Sequence, residues 1–172
     1  MIRVIVATDI NQGIAKDNQI PWHLKKDLTF FKETTSLAPA GKRNAVIMGR
    51  KTHQAMGQKV LPNRLNIVLT TQSHYNIPGV VPCASLKEAL TYCKNLEIIH
   101  HIYIIGGQQV YEEALNTPTL PIDYIYKTVL HHDYSCDRFF PDLNGQFEEV
   151  SRSETEKEGE ILFHMEVWRA YK

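Results

Sequence analysis

Cysteine is scarce in this chain: Cys83, Cys93 and Cys136 are odd in number, far apart, and include no C-x-x-C pair. That excludes a disulfide framework and suits reduced, intracellular thiols with no chemical role. Net charge is absent too, with 19 basic against 19 acidic residues. No overall field draws the protein to nucleic acid or to an anionic membrane, so any anion it binds must be held by local groups. Long apolar runs are missing, and the opening "MIRVIVATDI" reads as a strand rather than a signal peptide, which makes the cytoplasm the expected compartment. There is no G-x-S-x-G elbow, no complete G-x-G-x-x-G fingerprint, no internal repeat and no low-complexity linker. The histidines at 100–101 and 131–132 are adjacent pairs. Neighbours in a strand point to opposite faces, so no metal site is expected from them.

What remains is ordinary globular composition, 43% hydrophobic and 22% charged over 172 residues, which predicts one domain spanning 1–172. "IRVIVAT", "AVIMG", "RLNIVLT" and "HIYIIGG" read as buried strands. "RKTHQAM", "SLKEALTYCKN" and "QQVYEEAL" read as helices, the second opening on a Ser85-x-x-Glu88 capping box. From Asp123 onward come strands without helices between them, and 153–160 reads as the polar turn of a hairpin. The pattern predicts an α/β fold: a mostly parallel central sheet of about eight strands, helices on both faces and an antiparallel C-terminal hairpin edge.

Three strand ends invite a ligand, since open parallel sheets collect ligands beyond the carboxyl ends of their strands. Gly106 and Gly107 stand where a strand feeds a helix, which lets an anion approach backbone amides; a plain tight turn explains them as well. Gly49 precedes Arg50, Lys51 and Thr52 at another helix start, where two cations oppose the helix dipole unless an anion sits there. Thr70 and Thr71 end a third strand. Together the three ends suggest one extended nucleotide.

The most telling stretch is "NQIPWHLKKDLTFF", residues 18–31. Leu24, Leu28 and Phe31 recur at helical spacing as a buried stripe, and Asp27 falls on that stripe. A carboxylate there needs a partner, because an unpaired buried charge is costly.

With "IPWHLKKDLTFFK", "VIMGRKT", "IIGGQQVYE" and "RFFPD" in this order, the chain strongly resembles the bacterial-type dihydrofolate reductases over almost its whole length. The resemblance implies hydride transfer from NADPH to C6 of dihydrofolate with protonation at N5. Asp27 would bind the pyrimidine-like edge of the ring, supported by Thr128. Water would deliver the proton, placed with help from Trp22. Ile5, Ala7, Ile20, Leu28, Phe31, Met56, Leu61 and Ile105 would line the pocket, with Tyr111 near both ligands. Arg64, assisted by Lys32, would clamp the glutamate tail. Gly49, Arg50, Lys51, Thr52, Thr70, Thr71, Gly106 to Val110, Ala7 and Ile14 would hold the cofactor, with a cis peptide between the two glycines.

The loop from Gly13 to His23 would form a mobile lid. Gln108 and Gln109 stand where better-known bacterial members carry glycine and arginine, leaving fewer charges for the 2'-phosphate. Antifolates would compete at the pocket of a monomer. Two other readings use the same sheet: a deaminase-type reductase acting on a ribosylaminopyrimidine, which would not need Pro21-Trp22 and Asp27, and a nucleotide-binding module without catalysis.

Overall fold

The computed structural model describes residues 1–143 and 145–171. Its centre is a nine-stranded sheet in which β1 (Ile2–Thr8) lies between β6 (Ile99–Ile104) and β7 (Ile122–Leu130), parallel to both. β3 (Arg43–Gly49), β4 (Leu65–Leu69) and β5 (Val80–Cys83) continue the parallel order beyond β6. The antiparallel part begins only at β11 (Ile161–Ala170), which pairs with β7 and carries β9 (Phe147–Arg152) and β10 (Glu156–Glu158) at its far edge. A separate ribbon joins β2 (Gly13–Ala15) to β8 (Arg138–Phe139).

Side-chain alternation along the central strands makes two cores. Val4, Val6, Ala45, Ile47, Ile67, Ile102 and Ile104 face α3 (Leu86–Lys94) and α4 (Gln108–Leu115). Ile5, Val46, Met48, Val68 and Tyr103 face the side of α1 (Lys25–Ser36), meeting Phe30 and Phe31. Period-two alternation thus gives each strand both faces to bury, as a sheet covered by helices requires. α2 (Arg50–Ala55) is a short helix directly after Gly49. The capping box forms: Ser85 Oγ accepts the Glu88 amide at 3.1 Å, and the Glu88 carboxylate accepts the Ala84 amide at 2.7 Å.

The α/β architecture matches the expectation, with four local corrections. β7, expected in the antiparallel edge, is parallel to β1 because α4 provides the crossover that returns the chain to the same end of the sheet. Residues 156–158, expected in a turn, form β10, and the turn shrinks to Gly159–Glu160. β5, which contains Pro82, was not foreseen; as an edge strand it tolerates a residue that cannot donate to a ladder. The rings of His100 and His101 lie side by side, 3.9 Å between centroids, because a register shift against β3 interrupts the strict alternation there. Among the described residues no three metal-ligating side chains gather, and no helix is long and apolar enough to cross a membrane.

Candidate active site

α1 starts at Lys25 and carries Asp27 in its first turn. The helix does not press its apolar stripe into the core. Leu24 is buried, but Leu28 is 52% exposed and Phe31 and Asp27 are half-buried, so the sheet covers this face of α1 only in part. That corrects the expectation of a fully buried stripe. The Asp27 Oδ1 accepts a 2.7 Å hydrogen bond from the Thr128 hydroxyl. Thr128 is 1% exposed on β7 and stands in register with Ala7 of β1. Burial lifts the Asp27 carboxyl above its ordinary pKa, and the Thr128 hydrogen bond opposes the lift.

Tyr111 lies within electrostatic reach of this carboxylate. Burial, and then the charge of Asp27, push its phenol upward, so it remains a donor, and its hydroxyl donates to the Ile5 carbonyl at 2.8 Å. Phe31, Met56, Leu61 and Ile105 pack together at the margin of the Ile5 cluster. Ala7 and Trp22 border a smaller cluster of Leu24, Leu130 and Phe163, and the Trp22 ring sits 5.1 Å from that of Tyr134. Ile20 is 62% exposed. Ile14 packs on the opposite core, with Val6 and Phe140.

The strand ends meet as the glycine positions foretell. Gly106–Gly107 is a cis peptide, and the Gly106 carbonyl accepts the Gly49 amide at 2.8 Å, locking β3 to the end of β6. A side chain on Gly107 would come within 3.1 Å of the Thr52 hydroxyl, and one on Gly49 within 3.3 Å of Val110. Neither α2 nor α4 has a side-chain cap on its first-turn amides. First-turn amides left without an N-cap side chain at two neighbouring helix starts suit phosphate oxygens.

Around the cradle, Arg50 donates to Gln54 at 3.3 Å. Lys51, Thr71 and Gln109 are exposed, and Thr70 accepts the Gln72 amide at 3.0 Å. Gln108 is engaged elsewhere, accepting the Phe139 amide of β8 at 2.7 Å and donating to Glu112 at 3.0 Å.

Arg64 is 5% exposed. It donates to the Pro62 carbonyl and to the Thr35 hydroxyl, both at 2.9 Å, and Thr35 in turn donates to the Phe31 carbonyl at 2.7 Å. Burial lowers its pKa. Among the described residues no carboxylate pairs with it, so a buried cation sits at the cleft without a counter-ion. Lys32, on α1, is exposed.

Two residues with structural roles at the site escaped the sequence reading. Asp9, 1% exposed, accepts the amides of Gly13, Asn11 and Tyr134 at 2.7, 2.9 and 3.0 Å. Desolvation raises its pKa, yet these hydrogen bonds and one from Cys136 together outweigh it and hold the carboxyl below its usual value. The start of the Gly13–His23 loop is therefore anchored to the segment that carries Tyr134. An aspartate two residues before an asparagine and four before a glycine signals an Asx turn, but only tertiary contact supplies the Tyr134 amide. Glu158, the second, accepts two amides of α1 and has no local signal at all.

Comparison with known proteins agrees with this arrangement. The dihydrofolate reductase family model matches residues 1–170. The chain is 39% identical over 144 residues to the dihydrofolate reductase of Bacillus subtilis (strain 168), covering 84% of this chain and 77% of that one. It is 40% identical over 154 residues to a bifunctional dihydrofolate reductase-thymidylate synthase of Daucus carota, matching 83% of this chain but only 28% of that longer protein. The structure of the Enterococcus faecalis dihydrofolate reductase, complexed with NADP(H) and RAB-propyl, superposes with a TM-score of 0.86 at 31% identity, covering 100% of this chain and 97% of that one. A carboxylate and threonine pair at the cleft, a glycine cradle at adjoining strand ends and a match over nearly every residue agree: the chain belongs to the dihydrofolate reductase family.

Proposed function

We propose that the NADPH-dependent reduction of 7,8-dihydrofolate to tetrahydrofolate proceeds here in the cleft between α1 and the carboxyl ends of β1, β3, β6 and β7, with Asp27 as the group that grips the pterin. The observation that carries this reading is the half-buried Asp27, held at 2.7 Å by Thr128 on a partly exposed face of α1. Ionised, it accepts two hydrogen bonds from adjacent N–H donors of a pyrimidine-like edge, a geometry that selects such a ring. Its raised pKa lets it share that proton and polarise the ring toward N5, where water completes protonation. Trp22, near the mouth of the loop, helps to place that water.

NADPH, when bound, supplies the hydride that is added at C6. The residues present fit it: side-chain-free Gly49 and Gly107, bare amides of α2 and α4, and Arg50, Lys51, Thr52, Thr70 and Thr71 nearby would hold its phosphates and ribose. Ala7, Ile14, Gly106, Gln108, Gln109 and Val110 complete that side. Ile5, Ile20, Leu28, Phe31, Met56, Leu61, Ile105 and Tyr111 would enclose the pterin and benzoyl portions and exclude water. Arg64, which has no counter-ion among the described residues, would bind the terminal carboxylate, with Lys32 assisting.

In the same reading antifolates compete at this pocket, and residues 1–172 act as one domain, monomeric and cytoplasmic, with no nucleic-acid or membrane partner. The test is loss of NADPH absorbance with and without dihydrofolate, repeated with NADH. Oxidation that ignores dihydrofolate would refute it.

A further inference from the structure

α1 has a defect at its start. Its N-cap, Leu24, is an apolar residue with no side-chain acceptor, so the first amides of the helix that carries Asp27 have no local partner. The acceptor comes from far along the chain. Glu158 Oε2 accepts the Lys25 amide at 2.8 Å, and Glu158 Oε1 accepts the Lys26 amide at 3.0 Å. Two residues away on the same side of β10, Glu156 pairs with the Lys26 ammonium.

β10 is fixed in turn: Glu156 lies opposite Phe163, and Glu158 opposite Ile161, on β11. β11 is the strand beside β7, with Met165 in register with Thr128 and Phe163 with Leu130. Phe163, fully buried, packs with Leu130 and with Leu24, the very residue that fails to cap the helix. Asp27 is thus held at two points that share one support. Thr128 fixes its carboxylate from β7, and Glu158 fixes the amides just before it through the β10–β11 hairpin.

We propose that Glu158 is a positioning residue for the reductase: by capping α1 from the hairpin, it sets where Asp27 stands relative to Thr128 and to the pterin. The proposal rests on the assignment of Asp27 as the pterin-gripping carboxylate. Its physical content is a distance. Without the cap the first turn of α1 can fray, and a carboxylate in that turn loses its fixed relation to β7; misplacement by about 1 Å is enough to cost up to about a hundredfold in rate. Fraying also hydrates Asp27, and loss of the Glu158 charge leaves the positive helix start uncompensated. Both changes favour ionised Asp27; a weakened Thr128 bond opposes them, but burial is the larger influence on this carboxyl, so its titration moves downward.

The test uses the full-length enzyme with Glu158→Ala, Glu158→Gln and, as a control for stability alone, Ser85→Ala, which uncaps α3 on the other side of the sheet. Measured are kcat and KM for dihydrofolate, the Kd for NADPH, and the Asp27 titration followed by carboxyl carbon NMR. In Glu158→Ala, kcat/KM for dihydrofolate is expected to fall about three- to tenfold, while NADPH affinity stays within about twofold, on the scale of a displaced catalytic group. The Asp27 midpoint should move toward the ordinary carboxylate value. Glu158→Gln, which keeps one acceptor oxygen, should recover much of the loss, and Ser85→Ala should move neither readout.

An unmoved Asp27 titration with unchanged kinetics in Glu158→Ala would overturn the proposal, as would an equal kinetic loss in Ser85→Ala. A shifted titration without kinetic loss would uphold the positioning and refute the role given to Asp27.

Discussion

Replacing Thr128 by valine tests the electrostatics of the cleft most directly. The side chains are nearly equal in shape, and Thr128 is 1% exposed, so the change removes a hydroxyl and opens no large cavity. What disappears is a 2.7 Å O–H···O bond to the Asp27 carboxylate. A hydrogen bond to a charged group contributes about 1.5–3 kcal/mol. With that bond gone only the burial that disfavours the anion remains, so the Asp27 pKa should rise further above its ordinary value. The direction is fixed by the observed balance, in which burial raises the carboxyl and Thr128 opposes it.

Stability follows the same sign. A carboxyl whose folded pKa lies above its unfolded value stabilises the free protein fully below the unfolded value, and that contribution is lost as pH rises through the folded pKa. Thr128→Val should therefore be destabilised more at neutral pH than at pH below 3.8, the ordinary value, by about 1 kcal/mol. Carboxyl carbon NMR gives the midpoint, and denaturant melts at the two pH values give the stability difference. A midpoint that stays put or falls would refute the reasoning, because Thr128 would then not be stabilising the anion.

Other expectations follow from the same geometry. Asp27→Asn should keep the fold and lose about a hundredfold or more in turnover at neutral pH, checked by steady-state kinetics beside a circular dichroism melt; near-normal turnover would remove Asp27 from the chemistry. Arg64→Ala should raise KM for dihydrofolate about tenfold while leaving that for NADPH nearly unchanged, since among the described residues Arg64 bonds Pro62 and Thr35 and no carboxylate; equal effects on both would show the clamp misplaced. Gly13→Ala puts a methyl group 2.5 Å from the Cys136 Cβ and 2.8 Å from Asp9, and should destabilise by about 1–3 kcal/mol. An unchanged melting temperature would mean that the Asp9 anchor gives way freely.

The sequence by itself determined the central strands, the four helices and Asp27 as the residue out of place. Alternation of buried residues along "RVIVA" and "AVIMG" is a local property, and so are the Ser85 capping box and the glycines at the strand ends. Asp27 stood out because a charge on an apolar stripe contradicts its neighbours. What the tertiary structure decided is whatever depends on a partner remote in sequence.

Leu28 and Asp27 lie on a stripe that borders an open cleft, and no periodicity distinguishes a core face from a cleft wall. β7 runs parallel to β1 because of where the α4 crossover delivers it, not because of its composition. Asp9 and Glu158 look like ordinary polar residues of loops and turns. Each becomes structural only when folding brings backbone amides to it, from Tyr134 and from the start of α1, since hydrogen-bond geometry is satisfied in space and leaves no periodic trace in the chain.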